Sequence, residues 1–317
     1  MKNILRVISL SKILTYLFLI FTAALFLLPV FLLLNTSLKS FEVVSLSTMW
    51  QLPDDIGFDS FRQAWAGSIE EGFRGLRGNF LNSVRLTIPA SIISAFIGSI
   101  NGYIFSKWKF KGSNVFFALL LFGMFIPYQS ILIPLVQSLQ WLSQYTKPIR
   151  EFMIGIDLPG FLSTLPGAIA QFIPAYGSIG GLILVHVIYG IPIATLIFRN
   201  YYSEIPTELI EAGMMDGASI LGIYRHILFP ISMPGFVVVL IWQFTSIWND
   251  FLFGVIVTPN PQVQPVTVAL NNLAGSYIVE WNVQMAGSIL AALPTMLIFI
   301  FLSRFFLRGL MAGSLKG

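Results

Sequence analysis

The chain contains no cysteine among its 317 residues, and charged residues are scarce. The absence of cysteine excludes disulfide bonds and thiolate metal sites, and it means that cysteine usage gives no information on the redox state of the compartment. Asp, Glu, Lys and Arg make up 10% of the chain, against about 25% in soluble domains. Hydrophobic residues make up 56%, and the mean hydropathy is +0.81. One soluble core of this size cannot hide so much apolar surface, so the composition predicts a protein that crosses a membrane several times.

Nucleotide-binding and catalytic patterns are also missing. The sequence has no Gly-x4-Gly-Lys-Ser/Thr phosphate loop and no second soluble domain, so if ATP drives this protein, another chain binds the nucleotide. His186 has no second histidine or carboxylate at ligand spacing, which favours a satisfied packing histidine. A membrane-embedded enzyme would need clustered His, Asp or Glu, and His186 with Asp250 gives thin support for one. We therefore expect no catalytic residue and no metal site.

Uncharged apolar stretches of about 20 residues predict membrane-spanning helices. Pro127 and Pro134 predict kinks in the third of these stretches. Residues 161–176 are also fairly apolar, but Pro166 and Pro174 interrupt them and Pro159 precedes them, so an external loop with short surface helices is favoured over a seventh span. The pattern thus predicts an all-α membrane protein with six transmembrane helices, at residues 13–34, 86–106, 115–137, 179–198, 232–256 and 285–303.

The distribution of basic residues predicts the orientation of these spans. Lys and Arg favour the cytoplasmic side, and most of them fall on one side if both termini are cytoplasmic. No small-residue cleavage site follows the first span, so it is interpreted as a retained helix rather than a signal peptide. A single membrane domain over residues 13–310 then has a cytoplasmic N-terminus at 1–12 and a cytoplasmic tail at 311–317. The external loops follow at 35–85, 138–178 and 257–284.

A polar, small-residue segment lies between spans four and five, at residues 203–230. Pro206 suits the first turn of a helix, and either Thr207 or Ser203 can cap it. Glu208 and Glu211 near its start favour the positive end of the helix. The glycine that follows, Gly217, predicts a backbone conformation that a Cβ atom disfavours. A simple connection between two spans needs none of these features. The central residues are Glu211-Ala212-Gly213-Met214-Met215-Asp216-Gly217, and Ile227-Leu228-Phe229-Pro230 ends the segment.

This segment resembles the cytoplasmic signature of ABC importer permeases: Glu-Ala-Ala, three residues, Gly, nine residues, then Ile-x-Leu-Pro. Gly213 replaces the second Ala, and Phe229 replaces Leu. The resemblance implies a type I ABC importer permease fold, in which this short helix docks in a groove of a separate ATPase subunit. The alternative is an amphipathic helix that only anchors the loop at the membrane surface. The implied ATPase contacts are Glu211, Ala212, Gly213, Asp216 and Gly217.

Polar side chains in span five are candidates for a solute pathway or gate. Gln243, Ser246 and Asp250 recur at i, i+3 and i+7, so a continuous helix would place them on one face. A carboxylate within the membrane is costly and usually faces a cavity or a partner. The alternative is helix–helix contact between subunits. The run at 248–251, which includes Asn249, resembles sugar permeases of the maltose type. Amides bond to hydroxyl groups, so the further pathway candidates are Asn101, Gln129 and Gln137.

Two further stretches resemble the maltose-type carbohydrate subfamily. In the loop after span five, residues 265–272 end in Asn271 and Asn272, for which the resemblance implies contact with an external sugar-binding protein. A capped turn is the alternative. The tail at 306–317 implies contact with the ATPase, and a disordered basic end is the alternative.

Together the resemblances imply the permease subunit of an ATP-driven, binding-protein-dependent sugar importer in a prokaryotic cytoplasmic membrane. The implied partners are a homologous permease in a heterodimer, two ATPase subunits, an extracytoplasmic sugar-binding protein and the lipid bilayer, without nucleic acid. No cofactor is expected in this chain, because ATP and Mg belong to the ATPase. The favoured solute is a small sugar such as a hexose. The alternatives are an ABC permease for another solute and an ion-coupled secondary transporter, which would favour internal repeats and several buried carboxylates.

Overall fold

The computed structural model describes residues 10–67, 74–108, 110–157, 159, 163–273 and 280–312, the last ten by their backbone alone. Lys109 and the tail residues 313–317 lie outside this part. Every regular element within it is helical. The helices are α1 (Leu10–Ser37), α2 (Asp59–Ala66), α3 (Arg77–Lys107), α4 (Ser113–Phe122), α5 (Tyr128–Ile154), α6 (Leu165–Ala170), α7 (Ile179–Ser203), α8 (Glu208–Met215), α9 (Ile220–Ile223), α10 (Phe229–Ile231), α11 (Met233–Trp248), α12 (Leu252–Val257), α13 (Val266–Leu273) and α14 (Trp281–Ala312).

Within the described ranges, four helices, α1, α3, α7 and α14, are each long and apolar enough to cross a membrane. Two bent helix pairs raise the number to six if each pair is one span. The first pair joins α4 and its 3₁₀ turn to α5 with a bend of 101°, and the second joins residues 220–231 to α11 with a bend of 78°. The prediction of an all-α membrane protein is confirmed.

The third predicted span differs from the observed helices. The chain turns sharply at Pro127, as predicted, because proline lacks the N–H that would continue the helix. At Pro134 it stays helical, and α5 continues to Ile154. Residues 138–154 are therefore helical rather than part of a loop with short helices. The Gln, Ser and Thr side chains in this stretch are compatible with a helix, although they end the apolar pattern on which the sequence boundary depended.

The fifth predicted span, residues 232–256, is broken rather than continuous. Helix α11 ends at Trp248, and α12 begins at Leu252. Between them, the Asp250 carboxylate accepts hydrogen bonds from the backbone N–H groups of Phe253, at 3.4 Å, and Gly254, at 3.0 Å. Asp competes for backbone donors in this way, which favours a helix start over a helix interior.

Contacts divide the chain into two compact units. One comprises Met1–Leu76 with Leu270–Ala292, and its buried core contains Ala64, Val283 and Ala286. Within it, the Nδ2 group of Asn282 donates to Ser60 Oγ at 3.1 Å. Just after α1, burial lowers the pKa of the Lys39 amine, although Asp54 acts in the opposite direction. Its Nζ donates to the Thr48 carbonyl at 2.7 Å.

The other unit, Arg77–Ala269 with Leu293–Gly317, is built around close packing of α3 against α7. Glycines make this approach possible: a Cβ at Gly98 would lie 2.4 Å from Ala194 Cβ, and one at Gly102 would lie 2.7 Å from Phe198 Cβ. Small residues allow helices in membranes to approach closely. Helix α11 joins α7 through Gln243, whose Nε2 donates to the Gly190 carbonyl at 2.8 Å. This packing positions the two candidate regions, one at each end of α11.

Candidate functional site

The segment between α7 and α11 contains a short helix that ends in a glycine-dependent turn. Helix α8 stops at Met215, and Gly217 has a φ of +77°, as the sequence predicted. Its N–H donates to the Met214 carbonyl at 2.9 Å, and the Ala218 N–H donates to the Gly213 carbonyl at 3.0 Å. These two bonds form a Schellman motif with glycine at C′. Thr207 occupies the N-cap position without a side-chain cap bond.

The end of α8 presents a mixed polar and apolar surface. Four of the five predicted ATPase contacts, Glu211, Ala212, Asp216 and Gly217, are exposed. The side chains of Met215 and Leu221 beside them are 87% and 68% exposed. Large exposed apolar side chains rimmed by polar residues are typical of protein interaction sites.

Gly213 differs from the other four predicted contacts, because it is buried within the segment. A Cβ at this position would lie 3.0 Å from Ile227 Cδ1 and 3.3 Å from Ile223 Cγ1. Gly213 therefore lets α8 pack on the chain that follows it, and it does not belong to the exposed surface. The sequence spacing identified the position but not the direction that it faces.

The base of the segment is tied to the spanning helices. Tyr103 on α3 donates its hydroxyl to the Ile220 carbonyl at 3.2 Å, and Lys107 Nζ donates to the Ile205 carbonyl at 2.5 Å. Beyond α9, residues Tyr224–Leu228 form a π-helical turn. Such turns are rare and frequently occur at functional sites. Neither the tyrosine contacts nor this turn has a signature in the sequence.

A cavity of about 490 Å³ lies at the opposite end of α11. Its size falls in the range of small-molecule sites, and it combines aromatic walls with a few convergent polar groups, as such sites do. Trp242 is half exposed there, and Tyr128 packs edge-on against Tyr189 with ring centroids 5.1 Å apart. The aromatic and polar residues that line it are Tyr128, His186, Tyr189, Trp242, Gln243, Ser246, Asp250 and Phe253.

The cavity brings together three of the seven predicted pathway residues: Gln243, Ser246 and Asp250. Asp250 reaches it from the break after α11 rather than from the helix face that the spacing predicted. The other four do not line it. Asn249 is exposed in the same break, Asn101 is half-buried on α3, and Gln129 and Gln137 are exposed on α5. In the other unit, Asn271 and Asn272 are exposed at the end of α13.

His186 is the main residue that sequence reasoning placed wrongly. It is 7% exposed, and its Nε2 lies 3.5 Å from Asp250 Oδ2. That separation exceeds a normal hydrogen bond, and Nε2 has no hydrogen-bond partner among the described residues. His186 is therefore not a satisfied packing histidine. The pairing was invisible in the sequence because α7 and the break after α11 are far apart along the chain.

The comparisons with known proteins agree with this architecture. The family model described as "Binding-protein-dependent transport system inner membrane component" matches residues 88–311. A probable ABC transporter permease protein of Pyrococcus horikoshii is 42% identical over 98% of this chain and 100% of its own length. The xylose/arabinose import permease protein XacI of Haloferax volcanii is 32% identical over 96% of this chain and 93% of that protein. The glucose import system permease protein GlcU of Saccharolobus solfataricus is 30% identical over 94% and 92%.

A solved structure supports the fold independently of close sequence similarity. One chain of a bacterial ABC transporter that imports the acidic polysaccharide alginate matches with a TM-score of 0.69, covering 96% of this chain and all of that one. Its identity of 17% makes this a likeness of fold alone. The resemblance inferred from residues 211–230 is confirmed at the level of the family, which the helical membrane architecture also fits. The chain belongs to the binding-protein-dependent transport system inner membrane components, the permease subunits of ABC importers.

Proposed function

We propose that this permease conducts a small, uncharged sugar through the cavity beside α11 and is driven by ATPase subunits that dock at the end of α8. The observation that carries the proposal is the composition of the cavity. A half-exposed indole and two phenol rings offer apolar faces to a sugar ring, and Gln243, Ser246 and Asp250 offer groups that bond to hydroxyls.

The charge of the cavity supports a neutral solute. Among the described residues that line the cavity, only His186 and Asp250 have an acidic or basic side chain, apart from the tyrosines, and they face each other. No Lys or Arg lines it. An anionic solute would lack a cationic partner there, and burying an unpaired charge is costly. The names of two relatives, which refer to xylose/arabinose and glucose import, support the same class, with a hexose as our first choice.

The ATPase contact is assigned to the exposed face of α8 and the turn that follows it. Glu211, Ala212, Asp216 and Gly217 form the polar part of this surface, and Met215 adds an apolar anchor. The Schellman turn brings backbone close to the surface at Gly217, where a Cβ would meet no other atom of this chain within 4 Å. A partner therefore has room to approach. ATP and Mg are assigned to that partner.

The remaining partners follow from the type of importer. A homologous permease forms the pathway together with this chain, and two ATPase subunits bind on the cytoplasmic side. A binding protein delivers the sugar from outside and contacts Asn271 and Asn272 on the exposed end of α13. Both termini lie in the cytoplasm of a prokaryote, and the tail at residues 306–317 contributes to the ATPase contact.

The decisive experiment is affinity purification of the chain from its native membrane, with identification of every co-purifying subunit. We expect an ATPase and a second permease with the wild-type chain and their loss with Gly217→Asp, because a φ of +77° and a partner surface both reject a side chain. Gly78→Asp is the matched control, since a Cβ at Gly78 also meets no atom within 4 Å but has an ordinary φ.

The opposite result has a clear meaning. Recovery of the permease without an ATPase, with solute uptake that survives ATP depletion under an ion gradient, would overturn the proposal in favour of a secondary transporter. Retention of the ATPase by Gly217→Asp would show that the ATPase does not dock at the α8 turn.

A further inference from the structure

Four buried side-chain hydroxyls form a continuous chain at the base of the segment that contains α8. The Tyr224 hydroxyl donates to Ser99 Oγ at 3.0 Å, and Ser99 Oγ lies 2.6 Å from the Tyr202 hydroxyl. Tyr202 donates to Ser232 Oγ at 3.1 Å, and Ser232 Oγ donates to the Phe229 carbonyl at 3.0 Å. Ser99, Tyr202 and Ser232 are fully buried, and Tyr224 is nearly so.

The direction of the hydrogen bonds in this hydroxyl chain follows from the number of protons that each hydroxyl can donate. Each hydroxyl has a single proton, and those of Tyr224 and Tyr202 are used towards Ser99 and Ser232. Ser99 must therefore be the donor to Tyr202. Every link is then satisfied, and the terminal acceptor is a backbone carbonyl. Hydrogen bonds in such a buried chain polarise one another, and a satisfied network rigidifies its surroundings.

The chain joins four elements that are separate in sequence. Ser99 lies on α3, Tyr202 on α7, Tyr224 in the π-helical turn and Ser232 at the start of α11. The Tyr103 bond to the Ile220 carbonyl adds a second tie from α3 to the same segment. Aromatic packing supports both, because the rings of Tyr103 and Tyr224 stack with centroids 5.9 Å apart.

The segment would be soft without these ties. Helix α8 has eight residues and α9 has four, and the glycine turn and the π-helical turn lie beside them. Helices shorter than about 12 residues are marginal on their own. A push on α8 would therefore bend the segment at its joints and leave the spanning helices where they were. Hydrogen bonds that link the segment to α3 and α7 make it move as one body.

We propose that the Tyr224–Ser99–Tyr202–Ser232 hydroxyl chain is the transmission joint of this permease, a set of positioning residues that makes the α8 segment move as one body with α3 and α7. This inference rests on the proposed function, in which ATPases act on α8. It assigns no contact with solute or nucleotide to these residues.

The test is a distance measurement between spin labels at Leu209→Cys, on α8 but outside the assigned ATPase contacts, and Ile93→Cys, on α3. Both positions are exposed, and the chain has no cysteine of its own. In the assembled complex with its ATPase, we expect the wild-type label distance to stay constant when ATP and vanadate are added. With Ser99→Ala we expect a shift of about 2 Å on addition of nucleotide and a broader distribution, because α8 then moves against α3.

Ser94→Ala is the matched control. Ser94 is another fully buried serine of α3, but its hydroxyl bonds to the Ala90 and Ser91 carbonyls of its own helix, at 2.8 and 3.2 Å. It should behave as wild type. Tyr224→Phe provides a second variant that keeps the ring and removes only the hydroxyl, and it should behave as Ser99→Ala.

Three outcomes would overturn the inference: a nucleotide-dependent distance change in the wild type, a constant distance in both Ser99→Ala and Tyr224→Phe, or equal shifts in Ser94→Ala and Ser99→Ala. Failure of the proposed function is distinguishable, because no ATPase would then be recovered with the wild-type chain. The broadening in Ser99→Ala relative to Ser94→Ala in the isolated permease would still test the joint.

Discussion

The two ends of α11 treat buried polar groups in opposite ways. At its start, the four buried hydroxyls of the Tyr224–Ser99–Tyr202–Ser232 chain all have hydrogen-bond partners. Near its other end, His186 Nε2 and Thr245 Oγ1 have no hydrogen-bond partner among the described residues. A closed network fixes one arrangement, whereas unsatisfied buried groups are a cost that proteins retain for a reason. This contrast agrees with our proposals that the first end is rigid and transmits motion and that the second end meets the solute.

The largest effect should come from overpacking the rigid end. Gly102→Leu forces a side chain into the α3–α7 contact, where even a Cβ would lie 2.7 Å from both Phe198 Cβ and the Arg199 backbone N. We expect a loss of about 3 kcal/mol or more, enough to remove folded protein. Gly123→Leu, at the edge of the cavity where a Cβ meets nothing within 4 Å, should fold normally. Size-exclusion profiles in detergent measure both, and a well-folded Gly102→Leu variant would contradict the rigid-end interpretation.

The next effect should come from removing the carboxylate at the break. Asp250→Ala deletes the acceptor of two backbone N–H groups of α12 and the carboxylate that lies 3.5 Å from His186 Nε2. We expect a cost of about 1 kcal/mol in stability from the lost cap, together with loss of ATP-dependent uptake. Asn249→Ala changes the exposed neighbour and should leave both intact. Equal uptake by the two variants would separate Asp250 from the pathway.

A smaller effect on stability, and of opposite sign, is expected at His186. His186→Phe replaces an unsatisfied buried imidazole by an apolar ring beside Phe253, whose ring centroid lies 5.7 Å away. The free energy of unfolding should stay equal or rise by up to about 1 kcal/mol, so the melting temperature should not fall, while uptake falls. Thermal unfolding by intrinsic fluorescence and an uptake assay measure the two quantities. A drop in melting temperature with uptake preserved would make His186 a structural residue.

The smallest effect should come from the half-exposed indole. Trp242→Phe keeps an aromatic face but reduces its area, so we expect a weaker apparent affinity for the sugar, by about 1 kcal/mol, without loss of folded protein. Trp141→Phe is the control, because Trp141 is also exposed but packs on Tyr145 away from the cavity lining. If both variants take up sugar with the wild-type half-saturation concentration, the sugar does not bind against the Trp242 ring.

Local chemistry made part of this protein predictable. The glycine turn at Gly217 follows from residue type and spacing, and the bend at Pro127 follows from a missing N–H. The α5 extension to Ile154 was missed because hydropathy reports the end of an apolar stretch, not the end of a helix. The break at Asp250 was missed because helical spacing assumes a continuous helix, whereas the carboxylate competes for backbone donors.

The candidate site divides in the same way. Gln243, Ser246 and Asp250 were found because polar groups are conspicuous in an apolar span, but Asn101, Gln129 and Gln137 are equally conspicuous and do not line the cavity. A polar side chain identifies a candidate, and only packing decides what it faces. His186 was dismissed for lack of a nearby partner, although Asp250 lies 3.5 Å from it in the fold.

The sequence by itself determined the class of this protein, its helical character and the family signature at residues 211–230, because apolar length, charge and local backbone chemistry act over a few turns of helix. Only the tertiary structure decided that Gly213 turns inward, that His186 meets Asp250, and that Ser99, Tyr202, Tyr224 and Ser232 join in one chain. Those pairings connect residues tens of positions apart, and helix packing rather than local sequence sets which of them come together.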